Sequence, residues 1–338
     1  MIAATQVPGA GAAFTGRLWC GDGRELDRGR VVIDGAGVVA VIGAAAETAV
    51  PAGAREIESA WIGPGLVDAH VHLAFGTPEE IVARGVVAVR DLGAPPPDAM
   101  RWRAGTAPRV QVAGPLLTAP GGYPSRSWGQ DGFAAFIDDV GQASRLVQGL
   151  ATQVDVIKLA LEPNGGPVPE PDLCAAVVEA AHESGLEVTC HALSTAMVER
   201  ALDAGVDELA HVPLERLPAA LVARIAATGV RVVSTAQTHL RNGEVVDNLR
   251  DLVSAGVAVR YGTDLGNGGT RPGADPRELD LLAGSGLGAD GALRAATEPI
   301  RVGQPAGLVA LRRDPREHTA SWTEPHAVMV GPTLLVRS

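Results

Sequence analysis

Two histidines one residue apart, His70 and His72, are the pair whose spacing most directly indicates metal chemistry. On an extended strand, residues i and i+2 point to the same face about 6.5 Å apart, so both imidazoles can reach one ion. Val71 between them then faces the other side. Such a pair is a weak pattern alone, but here it ends an apolar segment, where a barrel strand would carry it to the catalytic rim.

Four further polar residues interrupt the ends of later apolar segments, namely Lys158, His191, His211 and Asp264. A buried charge without a partner is costly, so a cation shared with the histidine pair explains them most simply. Lys158 is the single lysine among 28 basic residues. A buried primary amine can lose its proton whereas a guanidinium stays charged, so a lysine there can do chemistry that arginine cannot.

The segments that carry these residues repeat one pattern, a β-branched run followed by a loop and an amphipathic helix. Eight strands are predicted at 61–73, 85–92, 108–117, 154–161, 186–192, 207–212, 230–238 and 257–265. Alternating strands and helices in this number predict an α/β fold, a (β/α)8 TIM-type barrel over residues 62–300. Its carboxyl-terminal rim would collect the six polar residues.

Both ends of the chain are typical of strands rather than helices. Residues 29–33 and 38–42 alternate around Asp34-Gly35, a dipeptide that favours a hairpin turn. Residues 1–61 and 301–338 are therefore predicted to form one small β-sandwich domain beside the barrel.

Composition narrows the function classes. The chain has 338 residues with 28 basic and 39 acidic side chains, a net charge of −11 that argues against nucleic acid and anionic membranes as partners. Three scattered cysteines do not suggest a disulfide framework, and no apolar run has the length of a membrane span. The first residues lack a secretory pattern, so we expect a cytoplasmic protein that acts on a small molecule, with a homo-oligomer left open.

The ordered motifs resemble the amidohydrolase superfamily, in particular its imidazolonepropionase-like and prolidase-like branch of metal-dependent hydrolases. The resemblance covers essentially the whole chain and rests on GPGLVDAHVHL at 63–73, GVVAVRDLG at 85–93, VDVIKLAL at 154–161, VTCHA at 188–192, AGVDELAHV at 204–212 and GTDLG at 262–266.

The resemblance implies a site with two divalent ions, expected to be zinc. His70, His72 and Asp264 would bind one ion, and His191 and His211 the other. Lys158, carboxylated on its amine, would bridge them. A metal-bridging hydroxide would then hydrolyse an amide-type C–N bond of a dipeptide, an N-acyl amino acid or a cyclic amide, with Asp264 moving the proton.

Loops after the strands are expected to contact the substrate. Tyr123 and Arg126 lie in the longest of them, residues 117–129, Arg271 lies in the last, and His239 follows the seventh strand. Tyr123, Arg126 and Arg271 are predicted to hold a carboxylate or a ring of the substrate, and His239 to be a further substrate group.

Three alternatives stay open at this stage. The same hydroxide could hydrolyse a lactone or another ester, and a ring deaminase would need one metal and no carbamate. A non-catalytic barrel that binds a small molecule is the rival from another class. The adjacent residues Arg90 and Asp91 are predicted to form a structural ion pair.

Overall fold

Parallel strands alternate with helices through the middle of the chain, and mainly antiparallel strands occupy both ends. The computed structural model describes residues 2–7 and 9–337. Its strands are β1 (Ile2–Gln6), β2 (Ala12–Trp19), β3 (Glu25–Ile33), β4 (Val39–Ala44), β5 (Arg55–Pro64), β6 (Leu66–Val71), β7 (Val86–Asp91), β8 (Arg109–Val112), β9 (Leu116–Thr118), β10 (Ala134–Phe136), β11 (Ile157–Leu161), β12 (Val188–Ala192), β13 (Glu208–Leu209), β14 (Arg231–Val233), β15 (Val259–Arg260), β16 (Gly307–Leu311), β17 (Ala327–Val330) and β18 (Thr333–Arg337).

Nine α-helices are found in the described ranges. They are α1 (Pro78–Ala83), α2 (Pro96–Arg103), α3 (Val140–Leu150), α4 (Pro171–Glu183), α5 (Thr195–Ala204), α6 (Ala219–Thr228), α7 (Glu244–Ser254), α8 (Pro276–Leu282) and α9 (Gly288–Ala295). Within these same ranges, no helix has both the length and the apolar character needed to cross a bilayer.

Local sequence explains where these helices begin and end. The side chain of Ser194 accepts a hydrogen bond from the Met197 amide at the start of α5, and Gly205 ends the helix in the left-handed conformation. Asp139 caps α3 in the same way by accepting from the Gln142 amide. The strands between them are buried on both faces, as expected where helices cover a parallel sheet, and every residue of β11 and β12 is buried.

The two ends of the chain pair into one eight-stranded sheet in the order β1, β18, β17, β16, β5, β2, β3, β4. The predicted hairpin is confirmed, because β3 and β4 pair antiparallel and the Asp34 carboxylate accepts from the amides of Ala36 and Val38 in the turn. Phe14, Leu308 and other buried residues from both ends share one apolar cluster. The arrangement of this sheet as a two-layer sandwich stays a prediction.

Each of the eight predicted barrel segments contains a parallel strand. Strands β6, β7 and β8 form one sheet, and β10, β9, β11, β12, β13, β14 and β15 form another. Backbone hydrogen bonds link the two, from Ala69 to Tyr261 at 3.0 Å and from His72 to Leu265 at 2.8 Å. The first and last parallel strands therefore lie side by side at the ends that carry His70, His72 and Asp264.

The third predicted strand is divided in two. Strand β8 pairs with β7, whereas β9 pairs with β10 and β11. Gly114 lies between them with a φ of +67°, a conformation that a residue with a Cβ adopts at a cost. This break passes the chain from one sheet to the other.

The prediction that Arg90 pairs with Asp91 is wrong. Neighbouring residues on a strand point to opposite faces, and the Arg90 guanidinium forms its ion pair with the buried Glu208 of β13. Burial alone would raise the pKa of Glu208, but Arg90 and Arg260 hold it below its usual value. Asp91 instead accepts from the Leu73 amide at 2.7 Å.

We expect Glu208→Gln to lower the free energy of unfolding by about 3 kcal/mol or more, because it leaves the Arg90 charge buried without a carboxylate. Urea denaturation measures this. The matched control is Glu58→Gln, which removes an ion pair with Arg28 in which both side chains are about two-thirds exposed and should change stability by less than about 1 kcal/mol. Equal effects of the two substitutions would contradict the prediction.

Candidate metal centre and active site

The polar strand ends converge on one cavity of about 320 Å³, a size suited to a small molecule. All six predicted metal ligands line it, together with two of the four predicted substrate residues, Tyr123 and His239. The full lining is His70, His72, Phe75, Leu116, Tyr123, Trp128, Lys158, His191, His211, His239, Asp264, Gly266, Asn267 and Gly268.

The first group that could hold a metal ion consists of His70, His72 and Asp264, all buried. The Oδ1 atom of Asp264 lies 3.3 Å from Nε2 of His70 and 3.5 Å from Nε2 of His72. Asp264 has a left-handed backbone with a φ of +53°, and its amide donates to the His70 carbonyl at 2.8 Å. The strained residue is thereby fixed against the strand that carries both histidines.

The buried carboxyl group of Asp68, two residues before His70, also fixes the end of this strand. It accepts from the His70 amide at 3.1 Å and from both the amide and the hydroxyl of Thr263, at 3.0 and 2.6 Å. Burial raises the pKa of Asp68 to about 7. These bonds connect His70 to the segment that carries Asp264, so two distant parts of the chain are held in register.

The second group that could hold an ion consists of His211, His239 and Asp264, with ligand atoms within 4.8 Å of one another. The sequence predicted His191 as the partner of His211, and Nδ1 of His191 does lie 3.0 Å from Nε2 of His211. His239, predicted as a substrate group, is thus also placed where it could contact an ion.

Hydrogen bonds at the far nitrogens decide which atoms of two histidines face the site. Nδ1 of His70 lies 2.9 Å from the Ala210 carbonyl oxygen, and Nε2 of His191 lies 3.3 Å from a carboxylate oxygen of Glu162. The Ala210 carbonyl oxygen can only accept a hydrogen bond. The Glu162 oxygen also accepts, because the hydrogen bond from His191 keeps the pKa of Glu162 below its usual value and its carboxylate stays ionised. The opposite nitrogens, Nε2 of His70 and Nδ1 of His191, therefore carry the lone pairs, and Nδ1 of His191 faces Nε2 of His211.

Burial keeps these imidazoles neutral. It lowers the pKa of His72 to about 4 and moves the pKa values of His70 and His211 well below their usual value, with nearby positive charges adding to the effect. Neutral imidazole is the form that binds a metal ion.

Lys158 is buried in the middle of this set, with 1% of its surface exposed. In the part of the chain that the structure describes, its Nζ atom has no hydrogen-bond partner. Burial lowers the pKa of the amine to about 7, so a large fraction is neutral at physiological pH. The imidazoles and the carboxylate around this amine are ligand types that bind divalent ions. A buried amine without a partner is unusual, and these surroundings fit a site that holds metal ions.

Aromatic side chains form another part of the lining, and Trp128 is the residue that the sequence reasoning missed. Its ring centroid lies 4.7 Å from that of His72, and its Nε1 donates to the Tyr123 hydroxyl at 3.0 Å. Tyr123 stacks on His191 at 4.9 Å. Its position in the longest predicted loop was the only indication in the sequence that Trp128 could reach the cavity.

Glu162 was also missed, although it directly follows the strand that carries Lys158. That position, one residue beyond a predicted strand end, could have identified it. The other two predicted substrate residues, Arg126 and Arg271, are not found among the described residues that line the cavity. Arg271 lines a separate depression with Arg84 and Arg277. The contact of Arg126 and Arg271 with a substrate stays a prediction.

Comparison with known proteins identifies the class. The family model described as the amidohydrolase family matches residues 61–299, most of the chain, and the chain therefore belongs to that family. An uncharacterized protein of Mycobacterium tuberculosis is 27% identical over 322 residues, which cover 81% of this chain and 85% of that protein.

Solved structures agree on the fold. A Xaa-Pro dipeptidase with bound methionine is 19% identical, with a TM-score of 0.81 over 96% of this chain and 100% of that one. A putative prolidase from Bifidobacterium longum is 23% identical, with a TM-score of 0.81 over 95% and 93%. An ochratoxinase from A. niger is 18% identical, with a TM-score of 0.81 over 97% and 95%. The family and these neighbours together indicate a TIM-barrel-type fold.

Proposed function

We propose that this protein is a metal-dependent hydrolase that cleaves an amide-type C–N bond of a small molecule at two divalent metal ions, most simply zinc. His70, His72 and Asp264 would hold one ion, and His191 and His211 the other. Lys158, carboxylated on Nζ, would bridge them. The observation that carries the proposal is the amine of Lys158, which is buried among these ligands and has no hydrogen-bond partner within the described part of the chain.

Carboxylation of Lys158 is consistent with its surroundings. The neutral amine attacks carbon dioxide, forming an N–C bond and releasing one proton, and the product is an anionic oxygen ligand. Because burial lowers the pKa of the amine to about 7, raising the pH through 7 increases the reactive fraction.

His239 lies close enough to His211 to join the second ion.

Side chains of the protein would then bind the substrate and transfer the proton. When bound, divalent ions lower the pKa of water towards neutrality and polarise a carbonyl oxygen. Asp264, whose Oδ2 accepts from Asn267 at 3.1 Å, would accept a proton from the attacking water and deliver it to the leaving amine. Tyr123 keeps its proton because burial raises its pKa to about 12, so its hydroxyl can donate to the substrate.

We also propose that the parallel strands close into a (β/α)8 barrel over residues 62–300, with residues 1–61 and 301–338 forming a β-sandwich. The hydrogen bond between Ala69 and Tyr261 supports closure, because it joins the first parallel strand, β6, to the residue that directly follows the last one, β15. The site would then occupy the carboxyl-terminal rim, where such barrels carry their chemistry.

The test is to purify the protein with zinc, count the ions per chain, and measure initial rates on matched amide and lactone panels. We expect two ions per chain, amide hydrolysis that a chelator abolishes, and restoration by added zinc. A preference for lactones would move the activity to ester hydrolysis. A single ion and release of ammonia from a ring would indicate a deaminase, and retained zinc with no turnover of any panel member would indicate a binding protein.

Glu162 gives a prediction on metal affinity. We expect Glu162→Ala to weaken zinc binding about 10- to 100-fold, because the His191 imidazole loses the acceptor that orients it. Competition with a chromophoric chelator measures the affinity. Glu170→Ala is the matched control, since Glu170 is exposed at the start of α4 and makes no capping bond there. Unchanged zinc affinity in Glu162→Ala would contradict this role.

A further inference from the structure

The cavity has an uneven distribution of polar groups. Apart from the histidines, Asp264, Lys158 and one asparagine, its lining is aromatic, aliphatic or glycine, as in Phe75, Leu116 and Trp128. Within residues 2–7 and 9–337, Lys158 is the one lysine or arginine in that lining, and the proposed function uses it between the metal ions. Among the described lining residues, the space left for a substrate therefore has no free lysine or arginine side chain.

Three aromatic residues, Phe75, Tyr123 and Trp128, form what we call the aromatic wall. The Trp128 ring centroid lies 6.0 Å from that of Phe75 and 6.1 Å from that of Tyr123, both in edge-to-face geometry. The wall directly adjoins the proposed metal ligands, because Trp128 contacts His72 and Tyr123 stacks on His191. A flat group attached to a scissile bond at the metals would meet these rings.

Phe75 forms the end of the aromatic wall that lies at the mouth of the cavity. Phe75 is 48% exposed and borders the cavity. Gly266 has a φ of +113°, and a Cβ there would lie 2.5 Å from Cδ2 of Phe75. Glycine at 266 therefore allows Phe75 to lie against the cavity mouth.

Two N–H groups near the wall already have acceptors. The indole N–H of Trp128 donates to the Tyr123 hydroxyl, and the Asn267 amide nitrogen donates to Asp264. The Tyr123 O–H, which the proposed function assigns to the substrate, is a neutral donor. The Arg271 guanidinium lines another depression. A carboxylate against the wall would lose much of its hydration without gaining a lysine or arginine partner among the described residues that line the cavity, which is unfavourable.

We infer that the substrate presents a neutral aromatic group, not a carboxylate, to the aromatic wall, so that the favoured substrates are uncharged aryl amides. This inference rests on the proposed hydrolase function and selects among its substrates. It disfavours dipeptides and N-acyl amino acids with a free carboxylate. Ring stacking on Trp128 and Tyr123 would supply the attraction.

Two matched pairs of compounds test the inference on the zinc-loaded protein. With the ring on the amine side, 4-acetamidoacetophenone is compared with 4-acetamidobenzoate. With the ring on the acyl side, 4-acetyl-N-methylbenzamide is compared with 4-(methylcarbamoyl)benzoate. Within each pair, an acetyl group replaces a carboxylate of similar shape. In at least one pair we expect kcat/KM for the neutral compound to exceed that of the carboxylate about tenfold or more.

A charge substitution at the cavity mouth gives a second test. Phe75→Arg places a cation at an exposed position of the wall, and we expect it to raise kcat/KM for the carboxylates relative to the neutral compounds about tenfold. Phe136→Arg is the matched control, because Phe136 is a 43% exposed phenylalanine that does not line the cavity. Its preference should stay that of the wild type.

The outcomes separate this inference from the proposed function. Carboxylates hydrolysed as well as or better than their neutral partners would overturn the inference and leave the hydrolase intact. If no compound is hydrolysed, calorimetry with the zinc-loaded protein decides. Tighter binding of the neutral compounds would support the aromatic wall and count against the hydrolase, whereas equal or absent binding would overturn the inference as well.

Discussion

Lys158→Ala is expected to lower kcat/KM about 10³-fold or more and to reduce the bound zinc. The proposed carbamate is the ligand that both ions share, so its loss leaves too few anionic ligands to hold them close together. Metal stabilisation of a reacting carbonyl and water is worth several kcal/mol, and each 1.4 kcal/mol is a factor of ten. Steady-state kinetics and elemental analysis of the variant measure both effects.

Two comparisons separate this role from simple packing. Lys158→Arg keeps the length and positive charge but cannot form a carbamate, so it should be as inactive as the alanine variant. Added acetate or propionate can enter the space left in Lys158→Ala and should restore part of the activity and the metal. Carbon-13 NMR of wild-type protein in labelled bicarbonate should show a carbamate resonance that Lys158→Ala lacks. Near wild-type turnover with two retained ions would contradict the scheme.

The sequence predicted the positions of the strands well because their determinants are local. Runs of β-branched residues bounded by glycine identify buried strands, and a polar residue at the end of such a run is conspicuous. His191 ends an apolar strand in this way, and His70 and His72 do so together. Because parallel strands meet at one edge, local patterns were enough to bring six distant side chains to one cavity.

The sequence could not predict contacts that depend on the path of loops and on strand neighbours. Trp128, in the loop after β9, lines the cavity with its ring centroid 4.7 Å from that of His72, and no local pattern in the sequence places it there. Arg90 and Glu208 are separated by 118 positions, and their pairing follows from packing inside the strand array. Arg126 lies in the same loop as Trp128 but is exposed. The sequence suggested Arg126 because arginine often binds carboxylates, but residue type alone does not show which side chains of a loop face the cavity.

Lys158 shows how composition and structure combine. Composition singled out Lys158, because it is the single lysine in a chain that otherwise uses arginine. The structure adds that its amine is buried and without a partner among the described residues. Burial of such a group is unfavourable unless a ligand compensates, so the two observations point to the same chemistry from independent sides.

Asp264→Asn is expected to lower kcat about 10²- to 10⁴-fold, the usual contribution of a general acid and base. Asparagine keeps the shape of the side chain and one oxygen near His70 and His72, so at least one zinc ion should remain. It cannot accept a proton from the attacking water or deliver one to the leaving amine. Kinetics of the zinc-saturated variant, with metal analysis of the same samples, measure the effect.

The dependence on the leaving group shows whether Asp264 moves the proton or only binds metal. If it moves the proton, amides with poorer leaving groups should suffer more in Asp264→Asn than activated anilides, because they need the proton at bond cleavage. Asn267→Ala removes the side-chain hydrogen bond to Asp264 and the one from the Gly268 amide, and it should keep the wild-type dependence on the leaving group. A uniform loss across leaving groups in Asp264→Asn would assign the residue to metal binding alone.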